Sequence, residues 1–214
     1  MRVYHFTNAE SGLKILQEKR LKISHILKLN DPFEFFSLVE SHDLEFRNAM
    51  EAGKQGIAEI AGIICFSANW KNPVQWAHYA DKHTGLCLGF DIPDENLEKI
   101  LYVKERVSHN GKLNESGVIK LMTTKYEDWR YEEEYRVFVP FNQSDDADGL
   151  YYSDFHENLK LVTVIVGVNS YVSCSAVVAL LGNLNGKVVE VFKAKPHSHK
   201  FEMTRDQNEN LFIK

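Results

Sequence analysis

Short apolar runs recur along the chain between polar segments, and most have the length and composition of strands. The runs at 62–67 and 85–91 are almost continuously apolar, which is typical of strands buried on both faces. The segment 134–139 alternates instead, and Pro140 ends it because proline donates no hydrogen bond to a sheet. Together the runs predict strands at residues 3–6, 62–67, 85–91, 101–107, 134–139, 161–167 and 187–192, with a terminal hairpin formed by 200–204 and 210–213.

Helical periodicity and capping residues separate these strands. Thr7 and Glu10 have the spacing of a capping box, which predicts a helix that ends near residue 20. Asp31, Pro32 and Glu34 have the composition of a second helix start, and that helix is expected to run toward residue 52. The remaining predictions are helices at 74–81, 94–101 (capped by Asp94), 114–125 and 173–181 (capped by Ser173), and a solvent-exposed acidic loop at 143–149.

The order of these elements predicts the fold class. Strands and helices alternate irregularly, and no repeat or long linker divides the chain, so we expect a single compact α+β domain over residues 1–214. No glycine-rich phosphate loop follows a predicted strand, which argues against a doubly wound dinucleotide-binding fold.

Composition and charge narrow the function classes. With 44% hydrophobic and 26% charged residues, the chain has the composition of an ordinary globular protein. A net charge of −5 argues against a broad phosphate-binding surface, although it leaves room for a small basic groove. The chain has no apolar run long enough to cross a membrane and no apolar leader, so a cytoplasmic protein without a membrane partner is expected. The three cysteines are widely spaced in apolar surroundings and predict buried free thiols.

The segment 129–136 carries the strongest chemical signal. If its strand begins by Glu132, then Glu132, Glu134 and Arg136 share one face, and the apolar positions 135, 137 and 139 form the buried one. Arg136 would then keep one carboxylate ionised. The alternative is a solvated strand face with a cross-strand ion pair. Trp129 and Tyr131 beside these residues favour a partly enclosed site.

Other candidate residues also have structural explanations. His5, at the end of the first strand, either projects toward a cleft or is a half-buried strand histidine. Tyr79 belongs either to the core face of its helix or to the rim of a ligand site. No nucleophile-elbow pattern surrounds Ser67, so a hydrolase of that kind is not expected. His197 and His199 do not form a recognised ligand pattern, and no metal site is predicted.

Six motifs in order resemble a large bacterial family of unknown function, whose hallmarks are N-D-P-F-E and W-x-Y-E-x-E-x-R. The resemblance covers roughly residues 3–170 and implies no biochemistry. The motifs are Tyr4-His5-Phe6-Thr7, Asn30-Asp31-Pro32-Phe33-Glu34, Cys65-Phe66-Ser67, Trp76-Ala77-His78-Tyr79, Gly85-Leu86-Cys87-Leu88-Gly89-Phe90 and Trp129-x-Tyr131-Glu132-x-Glu134-Tyr135-Arg136.

The His-x-Thr opening on a first strand also resembles the start of ADP-ribosyltransferases, including DNA-modifying toxins. That resemblance implies two small split sheets with peripheral helices and NAD bound in the cleft between the sheets. It implies that His5 bonds the ribose next to nicotinamide and that Glu134 or Glu132 contacts the ribose 2′-hydroxyl. Ser67 or Tyr79 would flank the nicotinamide. The candidate catalytic residues are thus Glu134 and Glu132, and the candidate cofactor-binding residues are His5, Thr7, Ser67, Tyr79 and Arg136.

These residues suit cleavage of the nicotinamide–ribose bond, which passes through an oxocarbenium-like state that a fixed carboxylate stabilises. The expected function is therefore an NAD-consuming enzyme, an ADP-ribosyltransferase or NAD glycohydrolase of the toxin or phage-defence type, with NAD as its substrate. One alternative is a non-enzymatic binding or regulatory module. Another is a metal-dependent nuclease or hydrolase using the carboxylates Asp31, Glu34, Glu132 and Glu134. A protein or nucleic-acid acceptor and the oligomeric state stay open.

Overall fold

The computed structural model describes residues 1–33, 44–106, 115–142, 149–182 and 189–213. The strands are β1 (Arg2–Thr7), β2 (Arg20–Lys22), β3 (Ala61–Ser67), β4 (Leu86–Asp91), β5 (Glu98–Lys99), β6 (Leu101–Val103), β7 (Thr124–Tyr126), β8 (Glu134–Pro140), β9 (Tyr152–Asp154), β10 (Lys160–Val166), β11 (Val189–Pro196) and β12 (Met203–Ile213). The α-helices are α1 (Ala9–Glu18), α2 (Leu44–Ile60), α3 (Pro73–Tyr79), α4 (Glu115–Met122) and α5 (Cys174–Leu181), and short 3₁₀ helices span Ile26–Lys28, Asp94–Asn96 and Glu127–Glu132.

A mixed eight-stranded sheet organises the described residues, in the order β12-β11-β10-β4-β1-β3-β8-β5. The β10–β11 pair is parallel, whereas the other neighbouring strands of this sheet pair in antiparallel fashion. Two two-stranded sheets, β2–β9 and β6–β7, accompany it. The α+β class is confirmed.

The large sheet opens between β1 and β3. Every residue of β1 pairs with β4, and every residue of β3 pairs with β8. Between β1 and β3, in contrast, only one pair of residues, Tyr4 and Ser67, is matched across the two strands. The sheet is therefore continuous by hydrogen bonding, but this opening divides it into two parts and leaves room between them for side chains.

Both faces of the central strands are buried, which explains their continuous apolar runs. Leu86, Leu88 and Val164 point to a core shared with α1 and α5. Their neighbours Cys87 and Ile165 point to the opposite face, where they pack with the cluster around Trp76 of α3. Alternating residues thus belong to different cores, as the period of a strand requires.

The structure confirms the strands predicted at 62–67, 85–91, 134–139 and 161–167 to within a residue at each end. It also confirms the helix at 173–181, where Ser173 accepts a hydrogen bond from the Ala176 amide. Cys87 and Cys174 are buried and Cys65 is half-buried, and all three are free thiols. Among the described residues, no helix is both long and apolar enough to cross a membrane.

Other boundaries differ from the predictions. Asn8, rather than Thr7, caps α1 by accepting from the Ser11 amide, because Thr7 is the last residue of β1. The predicted hairpin at the end of the chain is wrong, since one strand, β12, runs along β11. The helix predicted at 94–101 is also wrong: one 3₁₀ turn is followed by β5, which pairs with the edge of β8, and by the start of β6. Here tertiary pairing outweighs a local helix signal.

Five predicted segments fall partly outside the described residues: the helix that begins at Asp31, the strands at 101–107 and 187–192, the helix at 114–125 and the acidic loop. Asp31 accepts from the Phe33 amide as a cap would, but residues 34–43, and Glu34 with them, are outside. The following helix, α2, ends at Ile60, well beyond residue 52. The helix predicted at 114–125 ends at Met122 and is followed by β7. Most of the predicted acidic loop lies outside.

Candidate functional site

A cavity of about 160 Å³ lies where the large sheet opens. It brings together six of the seven residues that the sequence singled out. They are His5 of β1, Ser67 of β3, Tyr79 of α3, Glu132, and Glu134 and Arg136 of β8. Thr7 is not among the lining residues: it is buried at the far end of β1, with its methyl group beside Gly12.

Glu134 and Arg136 form a buried ion pair on one face of β8. Arg136 Nε donates to Glu134 Oε1 at 2.8 Å, Nη2 donates to Oε2 at 3.3 Å, and Nη1 donates to the Met122 carbonyl at 2.7 Å. Burial opposes ionisation of Glu134, but Arg136, Lys125 and a hydrogen bond from Cys65 outweigh it and lower the pKa of Glu134 to about 2. Glu134 is therefore an anion at neutral pH.

The face of β8 that carries Glu134 and Arg136 is the more buried one, contrary to the sequence prediction. Arg136 is 1% exposed and Glu134 is 5% exposed, whereas positions 135, 137 and 139 are half-buried. The main-chain carbonyl of Met122, at the end of α4, covers the polar face by accepting from Arg136. The alternation in the sequence identified the two faces but not which of them faces the protein interior.

Lys125 is the second cation of the site, and sequence reasoning missed it. Its Nζ donates to Glu132 Oε2 at 2.7 Å and to Glu134 Oε2 at 3.2 Å, and lies 4.8 Å from the centre of the Trp129 ring. The sequence placed Lys125 in the last turn of a helix, but the structure places it in β7. Charge balance is the signal that could have found it, because two buried carboxylates need more than one cation.

Glu132 reaches the cavity by a route that the sequence did not anticipate. It ends a 3₁₀ helix instead of lying in β8, and Glu133, with a φ of 46°, turns the chain into the strand. Tyr79 donates to Glu132 Oε1, and the Asn30 amide donates to the Tyr79 hydroxyl at 3.3 Å. Burial raises the pKa of Glu132, while Lys125 opposes the rise. Burial and the hydrogen bond to Glu132 raise the pKa of Tyr79, which keeps its proton.

His5 lies across the opening from these carboxylates. Its Nδ1 is 3.0 Å from the Cys65 carbonyl oxygen, and its ring meets the Phe66 ring edge-on at 5.9 Å. Because a carbonyl only accepts, Nδ1 carries the proton and Nε2 is left as an acceptor. Burial lowers the pKa of His5, so the ring is neutral at pH 7.

Ser67 lines the cavity, but its hydroxyl is fully engaged. It donates to the Asn69 carbonyl at 3.1 Å and accepts from the Asn69 amide and from Gln75 Nε2, each at 3.0 Å. These contacts use its one proton and both lone pairs. Ser67 therefore fixes the turn after β3, and Tyr79 is the residue of the two whose hydroxyl contacts a carboxylate of the site.

Comparison with known proteins yields a family-level match over part of the chain. Residues 75–137 match the family model described as "Protein of unknown function (DUF2971)". This supports the resemblance to an uncharacterised family and extends over less than half of the chain. No curated protein and no solved structure matches.

The matched segment contains most of the polar wall of the cavity, namely Gln75, Tyr79, Lys125, Glu132, Glu134 and Arg136. His5, on β1, lies outside it. Within the parts of the chain that the structure describes, no group of three or more His, Cys, Asp or Glu residues is arranged to hold a metal ion. Asp31 is buried next to Asn30, but it is not among the residues that line the cavity.

Proposed function

We propose that the protein cleaves the bond between nicotinamide and ribose in NAD, as an NAD glycohydrolase or an ADP-ribosyltransferase. The observation that carries the proposal is that His5, on β1, and the carboxylates Glu132 and Glu134, from around the start of β8, line one cavity. Had the histidine and the carboxylates been on opposite sides of the domain, the resemblance to ADP-ribosyltransferases would have lost its chemical basis.

Fixed carboxylates suit the charge that develops in this reaction. As the bond from the ribose carbon to nicotinamide breaks, its electron pair goes to the ring nitrogen, which loses its positive charge. The ribose carbon gains oxocarbenium character, and a negative group held beside it stabilises that charge without rearranging. Water or an acceptor nucleophile then bonds to the ribose carbon and releases a proton to solvent. The nicotinamide leaves as a neutral molecule, so no general acid is needed.

The cavity is too small to enclose a whole dinucleotide. Its volume of about 160 Å³ is below the roughly 300–1,000 Å³ of pockets that enclose a drug-sized ligand. The nicotinamide ribosyl end would occupy it, and the pyrophosphate and adenosine would extend outside. Neutral His5 offers the Nε2 acceptor to a ribose hydroxyl, consistent with the role that the resemblance implied for it.

The test is release of nicotinamide from NAD, followed by chromatography. We expect turnover by the wild type and a loss of about 100-fold or more in kcat when the reacting carboxylate is changed, in the Glu132→Gln or Glu134→Gln variant. Glu133→Gln is the matched control, since Glu133 lies between them, is exposed, and accepts from the Asn69 amide at 2.9 Å.

Two outcomes would contradict the proposal. One is the absence of nicotinamide release by the folded wild type, with or without cell extract to supply an acceptor. The other is release that both carboxylate variants retain. Binding of NAD without turnover, seen as a raised melting temperature, would support the alternative of a binding module instead.

A further inference from the structure

A series of hydrogen bonds leads from the buried carboxylate of Glu132 to the protein surface. Tyr79 donates to Glu132 Oε1, and a further hydrogen bond joins the side chains of Tyr79 and Tyr131. The Tyr131 hydroxyl in turn lies 2.9 Å from His78 Nδ1. Glu132 is 6% exposed, the two tyrosines are half-buried, and His78 is exposed. Two hydroxyl groups therefore connect a carboxylate of the cavity with a titratable ring in solvent.

Counting donors gives the direction of each hydrogen bond. A tyrosine hydroxyl has one proton, and its oxygen also accepts. Tyr79 uses its proton on Glu132, so the proton between the two hydroxyls belongs to Tyr131. The Tyr131 proton is then also used, so His78 Nδ1 is the donor to the Tyr131 oxygen. Every donor in the series thus points toward Glu132, and the Asn30 amide donates to the Tyr79 oxygen as well.

The short helix α3 holds this series in place. Asn72, which caps α3, and Gln75 in its first turn donate to the main-chain carbonyl of Tyr131 at 3.1 and 3.0 Å. The last turn of α3 supplies His78 and Tyr79 themselves. The rings of His78 and Tyr131 meet edge-on at 5.7 Å. One helix therefore fixes both ends of the contact between the surface histidine and the tyrosine below it.

The two carboxylates of the cavity differ in their tendency to bind a proton. Burial raises the pKa of Glu132. At Glu134 the cations Arg136 and Lys125 outweigh burial and keep the carboxylate ionised. A pair of carboxylates with such different environments suits two tasks, one as a lasting negative charge and the other as a proton acceptor. The proton acceptor of this pair is the one from which the series of hydrogen bonds begins.

We propose that Glu132 takes the proton of the nucleophile that attacks the ribose carbon, and that the hydrogen bonds from Tyr79 to His78 pass this proton to solvent. We call Tyr79, Tyr131 and His78 the relay. The inference rests on the proposed function, which supplies the proton. As water bonds to the ribose carbon, the electron pair of the broken bond goes to the nicotinamide nitrogen and one water proton goes to Glu132.

The relay returns to its starting arrangement after each turnover. Protonated Glu132 becomes the donor to Tyr79, and the two hydroxyls turn their protons outward, toward His78. Each group then passes one proton to the next. This shift leaves every donor pointing toward Glu132 again and adds one proton to the His78 ring. Because His78 is exposed, the ring loses that proton from Nε2 to a buffer molecule.

Rescue by buffer tests the relay with a readout that a purely structural role would not change. Nicotinamide release at saturating NAD is followed in dilute buffer, with and without imidazole, for the wild type, His78→Ala and Tyr131→Phe. In dilute buffer we expect each variant to lose about 10- to 100-fold in kcat, because proton removal becomes slow. Imidazole should restore most of the rate of His78→Ala, since it replaces the lost ring. It should restore little of the rate of Tyr131→Phe, whose missing hydroxyl is half-buried.

His199→Ala is the matched control, because His199 is an exposed histidine that is not among the residues that line the cavity. Its rate should equal that of the wild type, with or without imidazole. The melting temperatures of all three variants should stay within about 4 °C of the wild type, which shows that each variant is folded.

The results separate the relay from the proposed function. If the wild type releases nicotinamide and either His78→Ala or Tyr131→Phe keeps the wild-type rate in dilute buffer, the relay is wrong and the function stands. A loss in His78→Ala that imidazole does not restore has the same meaning. If the wild type releases no nicotinamide, the function is wrong, and the relay is overturned with it because no proton is produced.

Discussion

His5 and Cys65 are joined by a hydrogen bond across the opening in the large sheet. His5 Nδ1 lies 3.0 Å from the Cys65 carbonyl oxygen, just beyond the point where the pairing of β1 with β3 ends at Tyr4 and Ser67. The His5 side chain thus donates a hydrogen bond to a main-chain carbonyl of β3 at the point where β1 and β3 separate. The contact fixes the tautomer of His5 and links the two walls of the cavity through one bond.

Replacing His5 should therefore weaken both the fold and the ligand site. In His5→Phe the half-buried Cys65 carbonyl loses a donor, and we expect a loss of about 1–3 kcal/mol in the free energy of unfolding. Nicotinamide release should fall as well. Urea unfolding measures the first effect. His199→Ala, at an exposed position, is the control and should stay within about 0.5 kcal/mol of the wild type. An unchanged His5→Phe stability would contradict a bridging role.

The titration of His5 gives a second, independent prediction. Because burial lowers its pKa, folded His5 stays neutral as the pH falls below about 6.5, where an unfolded histidine takes up a proton. The unfolded state then binds more protons, so this residue makes the protein less stable as the pH falls through that range. Nitrogen NMR shifts should show an uncharged ring protonated on Nδ1 at pH 6. A charged ring at that pH would disagree with the structure.

The sequence predicted the central strands better than the edges, for a physical reason. Strands such as β4 and β10 are buried on both faces, so nearly all of their residues are apolar and the runs can be recognised in the sequence. The two-residue strand β5 carries no such pattern, since Glu98 and Lys99 are exposed and are ordered by pairing with β8. The local composition predicted a helix, and β5 forms a strand only because it pairs with the edge of β8, which is distant in sequence.

The candidate site could likewise be predicted only where local sequence determines the arrangement of its residues. The spacing of Glu134 and Arg136 identifies two residues on one face of a strand. Glu132 was placed with them by an assumption about where the strand begins, which the left-handed backbone of Glu133 overturns, although Glu132 still reaches the cavity. Lys125 comes from another strand. Charge balance calls for a second cation beside two buried carboxylates, but nothing in the sequence around Lys125 identifies it as the residue that contacts carboxylates seven and nine residues away.

Lowering the pH should remove the contribution of ionised Glu134 to the free energy of unfolding. Its folded-state pKa of about 2 lies below its ordinary value of 4.5, so the stabilisation is fully present above pH 4.5 and is lost as the pH falls through 2. The difference corresponds to about 3 kcal/mol. Glu132, whose pKa burial raises, acts in the opposite direction because its folded form binds a proton more readily as the pH falls.

The measurement is urea unfolding of the wild type and Glu134→Gln between pH 6 and pH 2.5. The gap in unfolding free energy between the two proteins should narrow as the pH falls, since the variant has no carboxylate to protonate at this position. Glu133→Gln should follow the wild type throughout. A gap that stays constant over the range would show that Glu134 is not held as an anion by Arg136 and Lys125.

Gly85 should be intolerant of any side chain, for a reason that lies in the backbone. A Cβ at this position would be 2.1 Å from the Thr7 carbonyl oxygen and 3.0 Å from that of Ala80, so the end of β1 and the turn after α3 would have to move apart. Main-chain hydrogen bonds at 2.9 Å, from Gly85 to Ala80 and from Gly167 to Gly85, hold this contact together. We expect Gly85→Ala to lose about 3 kcal/mol or more, because main chain yields less readily than a side chain.

Gly53 is the matched control, since it lies in α2 with nothing within 4 Å of the added Cβ. Gly53→Ala should stabilise the protein by about 0.5–1 kcal/mol through the better helix propensity of alanine. Urea unfolding of both variants decides the point. A loss at Gly85 with a gain at Gly53 would mean that Gly85 is required for the close approach of the end of β1 to the start of β4. Equal stability of Gly85→Ala and the wild type would contradict that approach.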